Sequence, residues 1–125
     1  MATAIYQFQI SGSRDEVNRQ LIASMANEMT HIQDFKIKLY EYGWRPSKRK
    51  GFYWMVGFTI GIVSKLLGRK MILRTGIWVE KKAVRHYGEL LSTIDWNNDT
   101  RKIIEKNQSD EVIHIEHWKA LLKKI

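Results

Sequence analysis

The sequence contains no cysteine, which excludes disulfide frameworks, thiolate-bound zinc, iron–sulfur clusters and cysteine nucleophiles together and leaves carboxylates and imidazoles as metal ligands. It has one proline, Pro46, so helices can run long without an internal break. No stretch stays apolar for the roughly 20 residues of a membrane-crossing helix. The longest, residues 52–67, is interrupted by Gly57, Thr59, Gly61, Ser64 and Lys65 and is expected not to span. The opening MATAIYQFQISGS lacks both the basic-then-apolar order of a secretory signal and the Arg/Ser-rich character of a transit peptide, so no cleavage is expected. Negative charge is scarce: 13 Asp and Glu against 21 Lys and Arg, a net +8. That excess attracts polyanions. The basic residues are spread over every predicted helix and not gathered on one recognition helix, which argues against nucleic acid and leaves an anionic membrane surface as the partner.

What is present is the composition of a folded chain: 125 residues, 44% hydrophobic and 11% aromatic, enough for one domain, 1–125, with one core. Ser13, with Glu16 three residues on, forms a capping-box pattern for a helix from about Arg14 to Tyr42. Within it Val17, Leu21, Met25, Ile32, Phe35 and Leu39 recur at three-, four- and seven-residue spacings, one helical face. Gly43 to Pro46 ends that helix. An apolar helix over 52–67 follows, then Gly68 as a break, a helix from about Arg69 to Ile94, a polar loop at 95–99, and a last helix capped by Asp99 or Thr100. No segment alternates convincingly as a strand. The expected fold is an all-α bundle.

Two segments read Glu-x-x-His: Glu28 with His31, and Glu111 with His114. On a helix, residues three apart share a face, so each pair can aim a carboxylate and an imidazole at one point. Eight glutamates and four histidines in this length give roughly 0.26 such matches by chance, so two arise in only about one chain in thirty. A ferritin-like di-iron or di-manganese site uses one such motif from each of two helices and one glutamate from each of two others. Glu80, after Ile77-Trp78-Val79 on the helix between the two motifs, supplies one of these. The segment before Ser11 has no Asp or Glu. Hard oxygen donors with one imidazole per metal suit iron, with Glu28 and Glu111 as bridging or near-bridging carboxylates, His31 and His114 as one nitrogen each, and Glu80 as a terminal carboxylate. Asp110 can orient a ligating imidazole. Tyr87 returns to nearly the face of Glu80 two turns on; it and His86 read either as groups that hydrogen-bond near a substrate or deliver electrons or, for Tyr87, as a buried tyrosine that satisfies its own hydroxyl. His117 has no motif partner and is read as a surface residue.

In order, Ile5-Tyr6, Glu28-x-x-His31, Arg45-Pro46, the glycine-punctuated apolar segment ending Leu66-Leu67-Gly68, Val79-Glu80 with His86-Tyr87, and Asp110-Glu111-x-x-His114 make a pattern that resembles the demethoxyubiquinone hydroxylase family of late ubiquinone biosynthesis. The resemblance covers essentially the whole chain. It implies a ferritin-like four-helix bundle, here with an incomplete first helix, whose di-iron centre of two iron ions activates dioxygen and hydroxylates a polyprenylated quinol at a membrane surface. It implies metal ligands at Glu28, His31, Glu80, Glu111 and His114, and catalytic roles for His86 and Tyr87. The family's first metal-binding glutamate lies seven residues before the position of Tyr6, which would fall upstream of Met1, so the chain reads as truncated at its N-terminus with five of six ligands present.

Lys48-Arg49-Lys50 followed by Phe52-Tyr53-Trp54-Met55 reads as an interfacial segment, basic residues meeting anionic headgroups and aromatics lying at the boundary. With the resemblance, the expected partners are a polyprenylated quinone substrate, dioxygen, a reductant, a peripheral membrane surface, and a homo-oligomer or a ubiquinone-biosynthesis complex. The expected location is the cytoplasmic face of a bacterial inner membrane. The alternative reading is a catalytically impaired fragment acting as a lipid-binding or interaction module.

Overall fold

Helices form where the apolar spacing places them. The computed structural model, which describes residues 1–45 and 48–125, contains α1 (Ala2–Gln9), α2 (Glu16–Glu41), α3 (Lys50–Leu67), α4 (Arg69–Thr93) and α5 (Asn98–Lys123), with no strand among the described residues. The all-α class expected of a ferritin-like chain is observed. Pro46 lies outside the described residues, while Gly43, just before it, takes a positive φ of 73° past the end of α2, as glycine does at a helix terminus. The chain divides into two compact units, Met1–Ile72 and Leu73–Ile125.

In the first unit the short α1 packs against α2 and α3 and buries Ala4, Ile5 and Tyr6 almost completely. Two glycines of α3 make this possible. A methyl group at Gly57 would lie 2.6 Å from the carbonyl oxygen of Met1, and one at Gly61 would lie 2.7 Å from that of Ile5, so α1 and α3 approach closely only because no side chain stands between them. Polar contacts add specificity: Gln9 Nε2 donates to Ser64 Oγ at 2.7 Å, and Ser64 in turn donates to the Gly61 carbonyl at 3.0 Å. Phe8 meets Phe58 edge to face, ring centres 4.6 Å apart.

Capping differs from the sequence expectation at two places. Asp15, not Ser13, caps α2, accepting from Asn18 N–H at 2.8 Å, while Ser13 Oγ accepts from Asp15 N–H one step earlier. A carboxylate at the positive end of a helix competes better than a hydroxyl for the free amides. The Asn18 amide is the main reason the Asp15 carboxyl lies below its usual range; burial opposes this, and the Ser13 hydroxyl, Arg69 and Arg19 add to it. At α5 the cap is Asn97, which accepts from Thr100 N–H at 2.9 Å. Asp99 thus falls in the first turn and the helix begins at Asn98, inside the stretch expected to be loop.

In the second unit α4 and α5 run antiparallel. Gly76 faces the indole of Trp118, where an added methyl would come within 2.8 Å of the ring, and Gln108 Nε2 donates to the Val84 carbonyl at 3.1 Å. Leu73, Val79, Ile104, Ile115 and Trp118 form the apolar part of its core. Trp96 Nε1 donates to the Leu90 carbonyl at 2.9 Å and fastens the turn between the two helices.

Two outcomes follow from this packing. Gly61→Ala has to push α1 away from α3 and should destabilise the protein by about 1–3 kcal/mol, whereas Gly51→Ala, with open space around it, should stabilise α3 by about 0.5–1 kcal/mol; urea unfolding of both variants checks the contrast. Asp15→Ala should lose about 0.5–2 kcal/mol at neutral pH. Because the folded carboxyl is shifted downward, its contribution is complete above the unfolded value and fades as the pH falls below about 4, so thermal midpoints of wild type and variant should converge in acid.

Candidate metal centre

Each unit carries one Glu-x-x-His motif, and the two motifs share a geometry. In the first, on α2, Glu28 Oε2 lies 3.6 Å from His31 Nδ1. In the second, on α5, Glu111 Oε2 lies 3.6 Å from His114 Nδ1. These separations exceed a hydrogen bond and suit two donors that share a cation. All four side chains are buried, with His31 2% and Glu111 0% exposed. The helical period turns them inward: Val17, Leu21, Ser24, Glu28 and His31 are the buried face of α2, and Ile104, Asn107, Glu111, His114 and Trp118 that of α5.

Within the second unit α4 brings a further carboxylate. Glu80 is fully buried, and its Oε1 lies 3.3 Å from His114 Nδ1. Glu80, Glu111 and His114 each offer a donor atom, and these lie within 4.8 Å of one another. Two donors held at ~2.1 Å from one ion lie at most ~4.2 Å apart, so small side-chain adjustments would let the three share one ion. The chemistry of the donors also fits. Two carboxylates with no exposure are strongly disfavoured as anions unless positive charge accompanies them, and a bound cation would supply it.

In the first unit the amino group of Met1 stands in the field of Glu28. Burial pushes its pKa down, and the Glu28 carboxylate partly offsets this.

The other sequence candidates are distributed differently. Tyr87 is buried on α4, while His86, beside it, is exposed; their rings are 6.5 Å apart. Asp110, considered as a support for a ligating imidazole, forms an ion pair with Lys106 at 3.0 Å. His117 is exposed, as expected of a surface residue. Asn107 was not anticipated. It is fully buried one turn before Glu111 on the same face, and neither end of its amide has a hydrogen-bond partner among the described residues. Its four-residue spacing to Glu111 gives the shared face, but nothing in the sequence announces its burial.

No described helix is long and apolar enough to cross a membrane. α3 is nonetheless apolar on its exposed side: Phe52, Trp54, Met55, Leu66 and Leu67 all stand out, Leu66 at 80%.

Comparison with known proteins points to one family. The chain is 28% identical over 115 residues to the 3-demethoxyubiquinol 3-hydroxylase of Polaromonas naphthalenivorans, covering 90% of this chain and 55% of that one. It is 30% identical over 117 residues to the protein of the same name from Dechloromonas aromatica, covering 92% and 56%. To the mitochondrial NADPH-dependent 3-demethoxyubiquinone 3-hydroxylase of Dictyostelium discoideum it is 28% identical, covering 91% and 55%. The chain thus spans just over half the length of these relatives. No solved structure matches. Residues 1–121 match the pattern of the family described as ubiquinone biosynthesis protein COQ7, and with nearly the whole chain matched, this protein belongs to that family.

Proposed function

We propose that Glu28, His31, Glu80, Glu111 and His114 hold two iron ions, and that the protein is a monooxygenase that hydroxylates a demethoxyubiquinol-type polyprenylated quinol in ubiquinone biosynthesis. The observation that carries this reading is the fully buried pair Glu80 and Glu111 facing one imidazole nitrogen, His114 Nδ1. The same carboxylate-to-Nδ1 separation recurs at Glu28 and His31. The relatives' names supply the substrate class.

Bound iron would supply electrons to dioxygen, and a reductant would restore them. The chain's own contribution is to hold the donors ready. Burial excludes water from the carboxylates, which strengthens every charge interaction they make. With Nδ1 of each histidine turned to its carboxylate, a neutral imidazole that ligates through Nδ1 keeps its proton on Nε2. Tyr87, buried on the α4 face that also carries Glu80, can donate its hydroxyl proton to a ring oxygen. His86 is exposed, and a role for it lies in electron or proton exchange at the surface. The exposed apolar side of α3, led by Lys48, Arg49 and Lys50, supports a peripheral seat on an anionic bilayer, the cytoplasmic face of a bacterial inner membrane, from which a polyprenylated quinol would enter. A homo-oligomer or a ubiquinone-biosynthesis complex is the further assembly proposed. The alternative, a lipid-binding or interaction module without catalysis, accounts for α3 but not for two buried carboxylates at one imidazole.

Ferrous iron added anaerobically should bind the purified protein and raise its thermal midpoint, since a ligand selective for the folded state stabilises it by mass action. Glu111→Ala and His114→Ala should each weaken iron binding by at least about tenfold. Elemental analysis with thermal melts checks both, and iron content unaffected by Glu111→Ala would refute the site.

Activity is tested by expressing the chain in a host that lacks its own hydroxylase and measuring conversion of demethoxyubiquinone. Conversion is expected, with a loss of about 100-fold or more in Glu111→Ala. Conversion that Glu111→Ala leaves intact would refute the reading.

A further inference from the structure

A second built site lies wholly within the first unit. A cavity of 210 Å³ opens beside the loop 10–14, walled also by the end of α3 and the start of α4. The loop is held in shape by one buried side chain. Asn18 Nδ2 donates to the carbonyls of Ser11 at 2.9 Å and Ser13 at 2.7 Å, and its Oδ1 accepts from Ser11 N–H at 2.8 Å. Lys65 Nζ donates to the Ile10 carbonyl at 3.1 Å, and Arg69 pairs with Asp15 across the opening. This preformed rim presents ammonium and guanidinium donors. The hydroxyl oxygens of Ser11 and Ser13 accept from backbone amides and so keep their protons for a ligand.

Another part of the cavity wall, Gln9, has the opposite chemistry. Gln9 is 2% exposed; its Nε2 is committed to Ser64, which fixes the amide, and its buried Oε1 has no hydrogen-bond partner among the described residues. A buried acceptor without a donor costs about 1–3 kcal/mol, which a ligand hydroxyl would recover. A ligand that satisfies the whole wall therefore carries an anion and, a few bonds away, a hydroxyl. The volume falls below the ~300–1,000 Å³ of pockets for drug-sized ligands, so it takes a headgroup and not a substituted quinone ring with its tail. Directly after Lys65 in the chain come Leu66 and Leu67, 80% and 64% exposed, an apolar ledge beside the charged rim.

We propose that this cavity binds the glycerophosphate headgroup of an anionic phospholipid, the phosphate on Lys65, Arg69 and the serine hydroxyls, a glycerol hydroxyl donating to Gln9 Oε1, and the acyl chains along Leu66 and Leu67. The inference rests on the membrane-surface reading above and is independent of the metal centre. It turns a general attraction for negative surfaces into selection of one headgroup.

Flotation of the whole protein with phosphatidylcholine vesicles tests it, the negative charge being supplied in one set by phosphatidylglycerol and in the other, at equal surface potential, by a fatty acid that offers no headgroup hydroxyl. Phosphatidylglycerol vesicles should bind about tenfold more tightly, the worth of one charge-assisted hydrogen bond. Lys65→Gln and Gln9→Leu should each abolish that preference, circular dichroism confirming that both fold. Lys70→Gln makes the same charge change outside the cavity and should weaken both sets alike while keeping the preference. Equal binding to the two sets, or a preference that survives Lys65→Gln, overturns the headgroup site and leaves the membrane reading standing. Absence of binding to either set overturns both. Soluble glycerol phosphate bound as tightly as phosphatidylglycerol vesicles would show a free phosphate-ester site and overturn the lipid assignment.

Discussion

The close approach of α4 and α5 at Gly76 is the constraint on which the second half of the candidate centre depends. The indole of Trp118 occupies the space that any side chain at Gly76 would need, which fixes the helices' separation and, with the Gln108 bond to Val84, their register. Residues one turn along then meet, and Glu80 comes within 3.3 Å of His114. A register slip of one residue would rotate Glu80 by about 100° around its helix, a consequence of the 3.6-residue turn, and the carboxylate would leave the imidazole. Backbone packing of an uncharged pair thus determines where charge is buried.

The first unit uses the same device for a different end. Gly57 and Gly61 bring α3 against α1, so the inward side of α3 is backbone and small atoms while its large apolar side chains face outward. An ordinary amphipathic helix buries its large residues. α3 inverts this, which is why its exposed aromatics read as a surface for something apolar and not as an incomplete core.

Much of this was legible in the sequence. The helical period marked α2, and Gly43 and Gly68 marked two of the breaks, because each of these depends on local spacing or on a backbone angle that only one residue type readily adopts. The Glu-x-x-His pairs were legible for the same reason: two residues three positions apart on one helix need no tertiary information to share a face. Capping was legible only to within a few residues, since Ser13, Asp15, Asn97, Asp99 and Thr100 are all competent caps and the choice among them rests on which side chain reaches a free amide. The roles of Gly76 and Asn107 were not legible at all. One depends on a residue 42 positions away in sequence, Trp118, and the other on being enclosed by neighbours that no local pattern announces. The cavity at Gln9 belongs to this class as well, its polar partner Ser64 lying 55 residues further on.

That difference in sequence separation also orders the events of folding. α4 and α5 meet through contacts such as Val84 with Gln108, 24 residues apart, whereas α1 is held by partners 55 residues distant. Closing the longer loop costs roughly 0.7 kcal/mol more in chain entropy, and an eight-residue helix has little stability of its own before it docks. The hairpin of α4 and α5 is therefore expected to form early, with α1 docking after α3 offers its glycine face. In the native protein the same ordering is expected in reverse: α1 detaches first in partial unfolding, with its backbone amides exchanging ahead of those in the hairpin.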